Sequence, residues 1–443
     1  MNKYSLSALV AAGLLAGAAT SASAADLGGN CCADLEERIA ELEATTARKG
    51  NRKVSLTVSG WVNQQITFWD DGAESNVYIH DLGTTLGSHV KFTGQATIAP
   101  GYSAGYVLHI EAMGSDGLTT DQNTANGPNL YNLLATGNAL SSKSPSGIGG
   151  GNSSGNGVST LQSYWFVKSD TLGKVSVGLQ SQASDNTAIL VDGSGSLVPA
   201  NWVAFDVRGF GMRLKSGGLT GFWGGAAGGC GAMGGAWGDC NGLTQQVVRY
   251  DSPSFGGFSV SASWGADDMW DVAGRYAGEF GGFKLAAAAA YNEVNDSNYN
   301  NLGALLGGAL NLDANYFQAG AYIEHVATGL FGMVNYGNLN NNLVVAPNAE
   351  TWYAKGGLRT RFSSLGHTVF YGEYENGQDG GLNAGGDFQM YGAGIVQEVD
   401  AAAMSVWLKY RNLSYSDNVL NGATAATSVE DFNYVGLGAI INF

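Results

Sequence analysis

In HVKFTGQATI, residues 89–98, every second side chain is apolar or small. Val90, Phe92, Gly94, Ala96 and Ile98 alternate with His89, Lys91, Thr93, Gln95 and Thr97. A period of two is the geometry of a strand whose two faces meet different surroundings. VSLTVSGWVNQQITFW (54–69) repeats it. Val54, Leu56, Val58, Gly60, Val62, Gln64, Ile66 and Phe68 share one face, and Ser55, Thr57, Ser59, Trp61, Asn63, Gln65, Thr67 and Trp69 the other. YVGLGAIINF (434–443) does so again, with Val435, Leu437, Ala439, Ile441 and Phe443 on its apolar face. A soluble sandwich also alternates, so the connections must separate the two cases.

The connections alternate short and long. Tight turns fall at Ala99-Pro100-Gly101, Asp170–Gly173, Ser252–Gly257, Gly278–Gly282, Ala327–Leu330, Ser363–Gly366 and Asp400–Ala401. Longer polar segments lie near 70–87, 114–159, 183–243, 293–314, 338–349, 376–386 and 414–430, with one short link at Ala266-Asp267. Short turns on one side and long loops on the other are the pattern of a transmembrane barrel. The strands between them fall near 53–69, 88–98, 102–113, 160–169, 174–182, 244–251, 257–265, 268–277, 282–292, 315–325, 330–337, 350–362, 367–375, 387–397, 402–413 and 431–443. The predicted fold is an all-β, 16-stranded antiparallel transmembrane β-barrel spanning 53–443, even in strand number as such barrels are. Aromatic residues recur near strand ends: Trp69, Phe92, Tyr106, Trp165, Phe258, Trp264, Phe283, Tyr291, Phe317, Phe331, Trp352, Phe362, Phe370 and Phe443. They predict girdles at the two membrane interfaces.

Composition agrees. Charged residues are 13% of the chain, against an ordinary ~25%. Glycine is 68 of 443 residues, about double the usual ~7%. After residue 24 no apolar run approaches the ~20 residues of a spanning helix, so any membrane crossing must use a closed sheet. Residues 1–24 read as a signal peptide, with Lys3 before the apolar run 6–19 and an Ala22-Ser23-Ala24 cleavage site. Its removal takes the formal charge from −16 to −17. That balance argues against nucleic acid as a partner.

Residues 25–52 form a leader of different character. Cys32, Leu35, Ile39, Leu42 and Thr46 follow the 3–4 spacing of a short coiled-coil seam, with Glu36, Glu37, Arg38, Glu41 and Glu43 outside it. About two heptads are too few to hold alone. The segment is either a solvated single helix or an oligomeric seam, and the fall of Cys32 on the apolar stripe favours the seam. In an exported chain the pairs Cys31/Cys32 and Cys230/Cys240 suggest disulfides. Cys230 and Cys240 would close a loop within one chain, and Cys31 with Cys32 would join neighbouring chains.

The third long segment, 183–243, is the candidate constriction loop and carries Asp185, Asp192 and Asp206. Strand parity turns Lys91, Arg249, Arg275, Lys355, Arg359, Arg361, Lys409 and Arg411 toward the lumen. On the lipid face each charge would cost about 2–4 kcal/mol at mid-membrane. An acidic loop facing a basic wall across water would set up a transverse field that orients dipolar solutes. Catalysis has no comparable support. His80, His89, His109, His325 and His367 show no metal-ligand spacing, and no G-x-S-x-G elbow occurs. The Gly-rich run 224–240 has neither the strand–loop–helix setting nor the Lys of a phosphate cradle. No metal or cofactor is expected.

The leader NCCADLEERIAELEATTARKGNRKVSLTVSGW, the stretch VVRYDSPSFGGFSVSASWGADDMWDVAGRYAGEFGGFKL and the terminal VGLGAIINF resemble the general porins of alphaproteobacteria, the rhizobial type in particular. The likeness runs along nearly all of the mature chain. It implies a homotrimer of barrels in the outer membrane of a Gram-negative bacterium, among lipid and lipopolysaccharide. Small hydrophilic solutes would diffuse through each pore past the third loop. It also implies that Phe443 is read by the outer-membrane assembly machinery and closes the barrel. The PEFGG-type motif of enteric porin loops is absent, so no eyelet residue is carried over. Two other functions fit the same strands. One is a structural barrel tethered to the cell wall through its leader. The other is a substrate-specific channel, although the inward aromatics Trp61, Tyr164 and Tyr353 are too dispersed for a sugar slide.

Overall fold

The computed structural model describes residues 54–443 apart from 84, 114, 116, 118–119, 123–157, 202–205, 227–243, 266–267, 298–311, 342–347, 379–385 and 417–428. The expected signal peptide, the leader 25–52 and Cys31, Cys32, Cys230 and Cys240 lie outside the described residues.

The strands are β1 (Thr57–Asp70), β2 (Ser75–His80), β3 (His89–Ala99), β4 (Tyr102–Ala112), β5 (Val158–Ser169), β6 (Gly173–Gln180), β7 (Gly211–Arg213), β8 (Leu219–Phe222), β9 (Gln245–Asp251) and β10 (Phe258–Gly265). They continue with β11 (Trp270–Phe280), β12 (Phe283–Ser297), β13 (Leu312–His325), β14 (Leu330–Asn341), β15 (Ala349–Ser363), β16 (Gly366–Gln378), β17 (Asp387–Val399), β18 (Met404–Ser416) and β19 (Phe432–Asn442). All but the small hairpin β7–β8 join one antiparallel sheet that closes on itself. β2 and β3 both pair with β1, β2 along Gln65–Asp70 and β3 along Thr57–Trp61. They are two halves of one stave, interrupted at 81–88, and the barrel therefore has sixteen staves.

The expected polar segment 70–87 is corrected by β2. Val77 and Ile79 face outward, while Tyr78 and His80 are buried inside, but six residues among polar neighbours give a weak periodic signal. The other correction is length. β12, β14, β16 and β18 run past their expected ends, because backbone pairing continues above the lipid band where side-chain alternation need not.

Closure joins the two ends of the sheet. β1 pairs with β19 from Trp61↔Asn442 to Asp70↔Asn433. The Gly60 N–H donates to the Phe443 carbonyl at 2.9 Å, and the Phe443 N–H returns a bond to the Gly60 carbonyl at 3.0 Å. Val58, Val62, Phe68, Trp165, Val260, Trp264, Trp352, Leu408 and Leu437 are exposed on the outer face. Trp69 and Phe331, expected in the girdles, are instead buried on the luminal face. Parity had already set Trp69 among the polar side chains.

Two glycines show why the inner wall needs that residue. A Cβ at Gly438 would strike the Trp407 indole, and one at Gly394 would strike the Tyr371 ring. Large rings lie flat across the neighbouring strand where no side chain stands in the way. They form part of a hydrophobic cluster that sits inside the barrel, with Ile189, Val191, Phe210, Trp223, Phe388 and Phe432. The barrel is therefore partly filled by its own third connection.

Candidate functional site

The described part of the connection between β6 and β9 lies inside the barrel against its wall. Its root is fixed first. The Asp271 carboxylate on β11 accepts from the Ser184 N–H at 2.7 Å and the Ser184 hydroxyl at 2.6 Å. The Ala183 N–H donates to Ser263 Oγ on β10 at 3.0 Å. Gln318 on β13 brackets the next turn, accepting from the Ala188 N–H at 2.8 Å and donating to the Ser184 carbonyl at 2.9 Å. A short helical turn, Leu197–Ala200, follows.

The ionic anchors come next. Lys355 on β15 pairs with Asp192 and donates to Ser196 Oγ at 3.0 Å. Asn201 donates to the same Asp192 carboxylate at 2.9 Å. Lys409 on β18 pairs with Asp206 at 2.5 Å. Asp206 also accepts from Gln65 of β1 at 3.0 Å and from the Tyr434 hydroxyl of β19 at 2.9 Å. Arg411 grips Glu373 of β16 through Nε at 2.8 Å and Nη2 at 3.1 Å, and donates to the Pro199 and Ala200 carbonyls. Lys355 is 4% exposed, Lys409 2%, Arg411 0%, and Asp192 and Asp206 1% each. Three cations thus meet three carboxylates in a buried, balanced group.

That arrangement corrects the expected facing charges. Asp192 and Asp206 do not look at Lys355, Lys409 and Arg411 across open water; they touch them. At short range and low dielectric, contact satisfies both sets, and a buried unpaired charge would be expensive. Arg249 donates to the Ser181 and Gln182 carbonyls, each at 2.9 Å, and pairs with Asp251 at 2.7 Å. Arg275 donates to the Ala183 carbonyl at 2.6 Å and to Thr187 Oγ1 at 3.0 Å. Asp185 accepts from Asn186 at 2.8 Å. Arg359 pairs with Glu398 at 2.9 Å, while Arg361 lies at the exposed short-turn rim with Asp400 at 2.6 Å. Lys91 lies on β3, away from these anchors. Asp271, Gln318, Asn201, Glu373 and Tyr434 were not singled out from sequence. For those on strands, luminal parity was the one available signal.

Further on, the same connection forms the hairpin β7–β8 near the long-loop mouth. Arg213 of β7 holds Asp71 through Nη2 at 2.9 Å and Nε at 3.1 Å. Gln122 ties the hairpin again, accepting from the Gly211 N–H at 3.0 Å and donating to its carbonyl at 2.7 Å. Burial alone would raise the Asp71 pKa. The Arg213 guanidinium, the Glu74 and Ala73 N–H groups and the Gln122 amide outweigh it and hold the carboxyl below its ordinary value. A depressed pKa contributes stability that is complete above the unfolded value of about 3.8 and is lost as pH falls through the folded value. Asp71→Asn should therefore lower the melting temperature by the same amount at neutral and mildly acidic pH. The gap to wild type should close only below about pH 3.8. A gap already closing near neutrality would contradict this.

A large closed barrel with its third connection docked inside can be compared directly with known proteins. No curated protein matches the sequence. Among solved structures, the anion-selective porin from Comamonas acidovorans is 16% identical, with 88% of this chain and 100% of that chain covered at a TM-score of 0.52. In-vitro folded OmpT, an outer membrane protein of Vibrio cholerae, is 13% identical, with 89% and 99% covered at 0.50. OprB of Pseudomonas putida is 12% identical, with 93% and 97% covered at 0.50. These likenesses establish the fold. The Gram-negative porin family matches residues 6–418. The chain belongs to that family and is a passive-diffusion pore of the outer membrane.

Proposed function

We propose that the protein is a general porin of the alphaproteobacterial, rhizobial-like type, a homotrimer in which each barrel carries small hydrophilic solutes and ions past the docked segment 183–243. The observation that carries this is the segment's attachment inside the barrel by Lys355–Asp192 and Lys409–Asp206. A loop so held narrows a pore without closing over it as a lid. In this reading Asp185, Asp192 and Asp206 belong to the constriction loop, and Arg249, Arg275, Lys355, Lys409 and Arg411 belong to the wall on which it is docked, while Lys91 and Arg361 stand apart from it. Because many of these charges neutralise one another in contact, they leave only a small residual field. The mature charge of −17 sets its sign.

Modest cation selectivity is the expected result. Reversal potentials across a planar bilayer in a KCl gradient test it, and a clear anion preference would refute it. Conductance in the same experiment tests the pore itself.

The leader would add a covalent tie to the trimer. On a trimeric seam Cys32, on the apolar stripe, would stand near its copies, with Cys31 turned toward the next helix, so that a ring of interchain bridges would close a short periplasmic stalk. Cys230 and Cys240 then form the intrachain bridge that closes the Gly-rich part of the constriction segment. On a denaturing gel without reductant the stalk should give a band larger than the monomer, collapsing on reduction. A monomer in both lanes would remove the covalent ring. Outer-membrane lipid, lipopolysaccharide and the assembly machinery complete the proposed partners. The cell wall joins them only if the leader reaches it.

A further inference from the structure

The anchors of 183–206 end on β1, β9 to β11, β13, β15, β18 and β19. On the facing wall, β3 and β4, two histidines stand ring to ring. His89 and His109 have centroids 3.9 Å apart with planes at 50°. The Trp61 indole abuts His89 edge-on at 4.1 Å. His89 Nδ1 lies 3.1 Å from the Gly87 carbonyl and donates to it when neutral. Both ring nitrogens of His109 are buried without a hydrogen-bond partner. In register, Glu111 lies opposite His89, and Lys91 lies opposite His109.

The break in the barrel wall that separates β2 from β3 is held by His89 and by the pair's neighbours Trp61 and Glu111. The Leu86 carbonyl accepts from the Trp61 indole N–H at 3.1 Å, Glu111 Oε1 accepts from the Thr85 N–H at 2.8 Å, and Gly87 is held by His89. The charged groups in register with the pair are Lys91 on β3 and Glu111 on β4. β5 contributes the neutral Gln162. A proton taken from water turns an imidazole into a double donor. His109 has no described acceptor for either N–H, and a second positive charge would stand beside Lys91.

We propose that His89 and His109 form a proton-operated element of the pore wall. Acid charges the pair, parts the rings and shifts 81–88, changing conductance and moving ion preference toward anions. This rests on the lumen being the conducting path. Absence of any conductance would defeat that reading, whereas conductance without the pH effect would defeat this one alone.

Reversal potentials of the full protein, in planar bilayers from about pH 8 down to about pH 3, run well below the ordinary imidazole pKa of ~6.5, because burial opposes charging of either ring. Luminal carboxylates also titrate in acid, so the informative quantity is the difference between wild type and His89→Asn/His109→Asn. Wild type should show an extra change of roughly twofold in permeability ratio, a modest electrostatic effect of ~0.4 kcal/mol in RT ln terms. Superimposable curves would overturn the proposal. Should the double variant fail to fold, ring titration of the wild type by NMR decides. Coupled, two-step titration of the pair supports the proposal, and two independent solvent-like imidazoles overturn it.

Discussion

Asp206→Ala is expected to loosen the constriction segment and enlarge the pore. The carboxylate gathers Lys409, Gln65 and Tyr434 onto one loop position, with Arg411 at 3.8 Å. Removing it strands the Lys409 charge in a buried site beside Arg411, which keeps Glu373. Breaking a buried ion pair by deleting one partner typically costs about 3–5 kcal/mol. Residues 206–210 then have less reason to stay against β18 and β19. Single-channel conductance should rise and ion preference should move toward anions. Asp206→Asn keeps the amide and hydroxyl contacts without the charge and should fall between. Asp206→Ala combined with Lys409→Met should recover part of the stability, because the stranded charge is gone. Unchanged conductance and unchanged melting in Asp206→Ala would show that the loop is held by its apolar cluster alone.

Deleting Phe443 is expected to separate assembly from stability. In the folded barrel the residue contributes two backbone hydrogen bonds to Gly60, a net loss of ~1–3 kcal/mol at most. The other pairs between β1 and β19 remain. If the terminal aromatic is what the assembly machinery reads, the amount reaching the outer membrane should collapse while protein refolded in detergent melts nearly as wild type does. Equal membrane levels with and without Phe443 would discard the recognition role. A refolded barrel that fails to close would assign the residue to architecture instead.

The contrast between those residues also says what was legible in advance. Alternation in 89–98 and 434–443 told which side chains face lipid, because a charge there is penalised at every position along the strand. Lys355, Lys409 and Arg411 were placed inward on that ground alone. Their partners were not readable. Which carboxylate meets Lys355 depends on how 183–206 crosses the lumen, and no periodicity constrains a segment of single helical turns and irregular backbone. Asp192 and Asp206 were recognised as loop acids, but whether they face water or a cation is set by contacts across more than a hundred residues of chain. Trp69 shows the reverse failing. Its parity was right, but its position near a strand end suggested a girdle, whereas it packs inside on Phe210 and Phe432.

The interrupted stave has a mechanical meaning. β1 holds β19 through ten consecutive residue pairs. It holds its other neighbour through six pairs to β2 and five to β3, and at the middle the ladder gives way to side-chain bonds between Asn63 and residues 82–88. A closed ladder resists bending because strain spreads round the whole hoop, and a hoop with one notch concentrates flexure there. Sideways load from a crowded bilayer would therefore make the cross-section oval about the seam at 62–64. The third connection ties β11 and β13 on the far arc to β18, β19 and Gln65 of β1 beside the seam, so it acts as an internal strut across the hoop. The constriction therefore braces the notch from within.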